Sequence, residues 1–146
     1  MSVSFYGFDH RVVEQGPAGT FPKMVKVPFE DPRHLNLANG NARVILELLR
    51  LPKNDADGDL WGEVSVPDAR RALIRARATF ARVAPALVRE PVQQMGVGRR
   101  EDGLAEMRTR SFVGGLDQPG MLDRLERFGV VVELLASMGA THIAWG

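Results

Sequence analysis

Residues 117–146 limit what this chain can fold into more than any other stretch. Met121, Leu122, Leu125, Phe128, Val132, Leu135 and Met138 recur at steps of three and four, the spacing that stacks side chains on one helical face. Val130, Val131 and Leu134 widen that stripe past half of the circumference, and a helix so broadly apolar is expected to pack on two sides inside a core. Gly139 follows the last periodic residue, where a left-handed cap is wanted. Ala140–Trp145 then reads as a short strand.

Two more amphipathic helices are predicted. Ala42, Ile45, Leu46 and Leu49, flanked by Val44 and Leu48, form a stripe near residues 41–50 that Pro52 closes. Ala69, Leu73, Ala76, Phe80, Val83 and Leu87 form another near 67–84, behind the helix-start pair Pro67-Asp68. Pro85 should end or kink it, having no N–H to give the preceding turn. The third helix, near 119–138, opens with Asp117 as its cap. Ser2–Phe8, Met24–Val27 and Met107–Val113 read as strands, the last an edge strand ended by Gly114-Gly115. Asp9–Pro22, with Gly16, Pro17, Gly19 and Pro22, reads as a loop, and Asp31-Pro32 marks a turn. Residues 90–116 are otherwise the least legible. The expectation is an α+β fold in one domain, 1–146, with three main helices packed on one face of a small, largely antiparallel sheet.

Composition excludes several kinds of chemistry. There is no cysteine, so disulfides, thiolate metal sites and cysteine nucleophiles are out, and a reducing compartment suits the chain. No apolar run approaches the roughly 20 residues of a membrane span, and the start lacks the layout of a signal peptide. A cytoplasmic protein that makes no membrane contact is expected.

The net charge of +1 names no partner, but it is unevenly distributed. Residues 1–66 balance to −2, residues 67–110 to +5 and residues 111–146 to −2, so the middle third is the candidate anion-binding surface. Arginine makes up 16 of the 19 basic residues, a ratio that phosphate recognition and a codon bias would both produce. Nucleic acid, if bound, would be held by Arg70, Arg71, Arg75, Arg77, Arg99 and Arg100. A basic face alone is usually just solvated, and Phe80 falls on the apolar side rather than among the arginines, where it could stack on bases. Gly96-Val97-Gly98-Arg99-Arg100 resembles the start of a phosphate loop but lacks its Lys-Ser/Thr ending. Asp55, Asp57 and Asp59 suggest calcium, yet Leu60 and Val66 stand where such a loop needs Gly and Glu.

The most unusual segment is His34-Leu35-Asn36-Leu37-Ala38-Asn39-Gly40-Asn41. One asparagine can cap the following helix, and Asx-turns could account for the other two. The functional alternative is a cluster of amides beside a helix N-terminus, where free N–H groups attract anionic or polar ligands. Asn36, Asn39 and Asn41, with His34 and Trp145, are therefore the ligand-binding candidates. No catalytic elbow or His-Glu-x-x-His motif is present. His10, His34 and His142 lie far apart in sequence, so neither a catalytic residue, a metal site nor a cofactor is assigned. The leading expectation is a non-catalytic interaction or regulatory module for a polar small ligand, a protein partner or a second copy of itself. Nucleic-acid binding is the alternative, and an enzyme assembled from distant residues is the third reading.

Asn36-Leu37-Ala38-Asn39-Gly40-Asn41-Ala42, then Gly62-Glu63 before an arginine-rich helix, and the closing Trp145-Gly146 form an ordered set. That set resembles a group of small bacterial proteins of unknown function sharing an Asn-x-x-Asn-x-Asn-Ala stretch, a Gly-Glu and a Trp-Gly ending. The resemblance spans roughly residues 34–83 and 110–146 and implies an architecture, without an activity.

Overall fold

The first strand runs further than the alternating pattern of residues 2–8 suggests. The computed structural model describes residues 2–56 and 58–146, and their side chains except at 56, 94 and 108–113. In chain order the elements are β1 (Ser2–Gly16), β2 (Gly19–Val25), β3 (Asn36–Ala38), α1 (Asn39–Leu49), β4 (Asn54–Ala56) and β5 (Asp59–Ser65). They continue with α2 (Val66–Val83), β6 (Val92–Arg99), β7 (Ala105–Val113), α3 (Gln118–Ser137) and β8 (His142–Trp145). Five strands run in the order β2-β1-β8-β5-β4, and β3 adds to the free edge of β1 to make six, every pair antiparallel. β6 and β7 form a separate hairpin. The fold is α+β, with α1, α2 and α3 packed against the sheet and one another.

Burial alternates along β1. Val3, Phe5, Gly7 and Asp9 point to the helices, while Ser4, Tyr6, Phe8 and His10 point away, as a period of two requires. Ile143 and Trp145 of β8 and Leu60 and Gly62 of β5 complete the covered face. The other face stays open, with Trp61 54% and Met24 47% exposed. Met121, Leu125, Phe128, Val131, Val132 and Leu135 of α3 are fully buried. Leu122, Val130 and Met138 remain 42%, 49% and 46% exposed, so the buried stripe is narrower than the apolar spacing implies.

Helix boundaries follow local chemistry. Ser65 Oγ accepts the Asp68 N–H at 3.2 Å, and Asp117 Oδ1 accepts the Gly120 N–H at 2.8 Å. Pro85 stops α2 at Val83, and a single 3-10 turn (Ala84–Leu87) follows. Gly139 takes φ 99 beyond α3.

One expectation about the sheet is corrected. Asp9–Pro22 is a hairpin rather than a loop: β1 continues to Gly16 and turns back into β2. Its register slips between Asp9 and Val13, where Asp9 holds Arg11 through Oδ1 at 2.9 Å and Oδ2 at 3.1 Å. Glycine and proline in this stretch mark a tight turn and an irregular edge instead of breaking the strands. Lys53–Asp59 is a β4–β5 hairpin, with Asp55 paired to Arg43 at 2.6 Å, while Asp57 lies outside the described residues. The expected edge strand at 107–113 is present as most of β7, and Gly96–Arg99 is part of its partner β6, in keeping with the missing phosphate-loop ending. No helix among the described residues is long and apolar enough to cross a membrane.

Carboxylate pairing makes stability depend on acid. Arg33 donates to both oxygens of Asp31, at 2.9 and 2.7 Å, and lowers its pKa from 3.8 to about 2. Hydrogen bonds from Arg11 hold Asp9 below the usual range, and those from Ser65 and Arg71 do so for Asp68. Because the folded pKa lies below the unfolded one, this stabilisation is complete above the unfolded value and is lost as pH falls through the folded value. Thermal melts should show a midpoint that declines from about pH 5 to about pH 2. Asp31→Asn should make that decline shallower, and an unchanged slope would refute the assignment.

Candidate functional site

The asparagine segment folds as the end of β3 and the first turn of α1. The residue preceding α1 is Ala38, and no side chain caps the helix, so the asparagines are not the caps their spacing suggests. Asn36 is exposed on β3, opposite Ser4 of β1. Asn39 Nδ2 donates to the Gly58 carbonyl at 3.1 Å, tying α1 to the β4–β5 turn. Asn41 Oδ1 accepts from Arg89 Nη2 at 3.0 Å. The three amides therefore point to three different places.

Arg89 is the residue that sequence patterning missed. It lies beyond α2, and its backbone exchanges hydrogen bonds with Leu116 at 3.0 and 2.8 Å just before α3. Its guanidinium extends to the first turn of α1, where an added Cβ on Gly40 would sit 2.9 Å from Arg89 Cζ. Glycine at position 40 leaves room for the guanidinium to lie there, and any side chain would make it shift. Nε of Arg89 is buried and has no hydrogen-bond partner. Among the described residues no carboxylate lies within ion-pair distance of Arg89 or Arg124. Arg124 Nη1 instead donates to the Gly120 carbonyl at 2.9 Å. Both arginines line a cavity of about 420 Å³ between the residues around Arg89 and the start of α3. Two acids share its wall, Glu90 and Asp117, the latter with its carboxylate engaged in capping α3. The half-buried cation beside the positive end of an uncapped helix is an unfavourable pairing by itself, and an anion placed there would relieve it.

The other arginine candidates are differently placed. Arg70 binds Glu133 with two bonds of 2.8 Å, and Arg77 binds Glu126 with Nε at 2.8 Å, so both clamp α2 to α3. Arg71 pairs with Asp68 on its own helix, and Arg75 Nη2 donates to the Leu49 carbonyl at 2.8 Å. Arg99 and Arg100 belong to the β6–β7 hairpin, where Arg100 Nε is 3.6 Å from Asp102 and 3.9 Å from Glu106. Arg70 and Arg77 thus hold α2 to α3, Arg75 ties α2 to the end of α1, and the charges of Arg70, Arg71 and Arg77 are compensated by carboxylates.

His34 and Trp145 do not join the asparagines. Trp145 is 1% exposed, in the core beside Phe5 and against Gly62, because odd-even alternation along β8 turns it toward the helices. His34 packs against Phe29 with the rings tilted and their centroids 5.1 Å apart, and it lines a separate cavity of about 440 Å³ with Tyr6 and Lys26.

Two of the three histidines do meet. β8 lies between β1 and β5, and His142 pairs with Phe8 on one side and Ser65 on the other. His10 follows Phe8 by two residues and Glu63 precedes Ser65 by two, so both keep the outward phase and face the same open side. His10 Nε2 is 3.0 Å from Glu63 Oε2, and the two imidazole centroids are 4.0 Å apart. The only sequence signal is that each residue occupies the outward phase of its strand. Comparison with family models, with curated proteins and with solved structures finds no match for this chain.

Proposed function

We propose that this chain is a non-catalytic interaction or regulatory module that binds a small polar ligand carrying a phosphate or carboxylate beside the start of α1. The observation that carries this reading is Arg89, a guanidinium without a carboxylate partner, laid against the uncapped first turn of α1 and bonded to Asn41. A planar fork of N–H donors suits a bidentate oxyanion, and Arg124 supplies a second cation on the same cavity. The ligand stays beside the asparagine segment, with Asn41 orienting Arg89, while Asn36 and Asn39 lie outside the contact. The compensated arginines of α2 support this reading over nucleic-acid binding. A cysteine-free chain suits the reducing cytoplasm as its location.

Inorganic phosphate and a small dicarboxylate are the first probes. A ligand at a hundredfold excess over its Kd stabilises the folded state by about 2.7 kcal/mol, which a thermal melt reads as a rise of several degrees. That rise should vanish in Arg89→Met and shrink in Asn41→Ala, and it should persist in Arg99→Ala. An equal rise in wild type and Arg89→Met would overturn the site, as would no rise with either anion.

A further inference from the structure

We infer that the open face of the sheet holds one divalent transition-metal ion of the zinc class, bound by His10, Glu63 and His142. The site is formed by different residues from the Arg89 cavity and does not depend on it. One ligand atom from each of the three residues lies within 4.8 Å of the others. An ion about 2.0–2.2 Å from each donor needs donors roughly 3–3.5 Å apart, so a small closing of the side chains completes the set. His10 Nε2 and Glu63 Oε2 are already at 3.0 Å.

Thr141 supports His142 from behind. Its Oγ1 accepts the His10 N–H at 3.0 Å and lies 3.2 Å from the Phe8 carbonyl. The same oxygen is 2.9 Å from His142 Nδ1. Metal binding through Nε2 selects the tautomer in which Nδ1–H donates to this hydroxyl and the lone pair is on Nε2. A histidine oriented through its second nitrogen is the usual support of a metal ligand. The backbone N–H of His10 bonds the same hydroxyl, so Thr141 positions both histidines. On His10 and Glu63 the ion takes the place of the proton that bridges them.

Donor type selects the ion. Two imidazole nitrogens and one carboxylate suit zinc and its neighbours, whereas calcium and magnesium want oxygen. The side chains of His10 and Glu63 are 37% and 38% exposed, which leaves an entry path and a fourth position facing solvent. The irregular register of β1 between Asp9 and Val13 places His10 where a bulge can turn its ring toward its neighbours.

Calorimetric titration of the full chain with ZnCl2, and separately with MgCl2, tests the site. One zinc ion per chain is expected, with no heat from magnesium. His142→Ala and Glu63→Gln should each weaken zinc on the order of 100-fold or more, and Thr141→Val by about 10–100-fold, the effect typical of an outer partner. The metal-free melting temperatures of His142→Ala and Glu63→Gln should match wild type, since these side chains lie on the open face, whereas Thr141→Val also loses the bond to the His10 N–H and should melt somewhat lower. His34→Ala serves as the control and should bind as wild type does. Should a variant fail to fold, cobalt added to wild type must give the visible bands of a low-coordinate nitrogen–oxygen site. No zinc uptake, unchanged affinity in His142→Ala, or a cobalt spectrum like that of the free aqueous ion would each overturn the inference.

Discussion

Gly62→Val is expected to destabilise the protein by about 3 kcal/mol or more, at or above the top of the roughly 1–3 kcal/mol range for overpacking a core. Gly62 on β5 lies directly opposite Trp145 on β8, and both face the helices. The indole lies against the glycine, so that an added Cβ would stand 2.7 Å from Cε2 and 2.9 Å from Nε1. Neither partner can retreat. β8 is hydrogen-bonded on both edges, and the ring is enclosed by Phe5 and the helices at 1% exposure. Urea denaturation measures the loss as a lower midpoint. Trp145→Leu should also destabilise, but the double variant should lose less than the sum, because the smaller side chain makes room for valine. Strict additivity, or a Gly62→Val midpoint equal to wild type, would refute the clash.

That pair shows how the sequence encodes the architecture and where it conceals it. Helical stripes are legible because their period is set by the backbone, so α1, α2 and α3 begin and end within a few residues of expectation. Gly62 and Trp145 stand out as isolated residues, but nothing local says that they are neighbours, since strand pairing joins residues far apart along the chain. The start of β2, ahead of the expected Met24–Val27 strand, and β6 are hidden for another reason. They contain Gly19, Pro22, Gly96 and Gly98, residues that favour turns, and only pairing with β1 and β7 makes them strands. Val130 and Leu122 show the reverse error: apolar spacing places them on the buried stripe, and solvent keeps them.

The candidate sites were less legible than the fold. Asn41 was visible as part of an asparagine cluster, yet its significance depends on Arg89, which sits 48 positions away. His10 and His142 looked isolated because they are separated by most of the chain, and only the order β1-β8-β5 brings them together with Glu63. Arginines on the outer face of α2 looked like a surface for anions. Glu126 and Glu133 of α3 face them across the helix pair, and a helical pattern read one element at a time cannot show that.

Phe128→Ala should cost about 3–5 kcal/mol, the range for emptying a fully buried aromatic site. Phe128 is 0% exposed on the buried face of α3 and meets Phe5 of β1 edge-on, with centroids 5.5 Å apart and planes at 76°. Phe5 in turn lies 6.4 Å from Trp145, so one chain of aromatic contacts runs from the last helix through β1 to β8. Removing its first member leaves a cavity at the junction of helix and sheet, where the backbone of neither layer can collapse to fill it. A domain with about 5–15 kcal/mol of total stability would then be brought close to unfolding. The specific part of the contact is separable. In a double-mutant cycle with Phe5→Leu and Phe128→Leu, the coupling should be about 0.5–1.5 kcal/mol, the usual worth of an edge-to-face pair beyond its buried area. A coupling near zero would mean that the two rings contribute only as bulk, and a small loss in Phe128→Ala would mean that α3 is not the element on which the core is built.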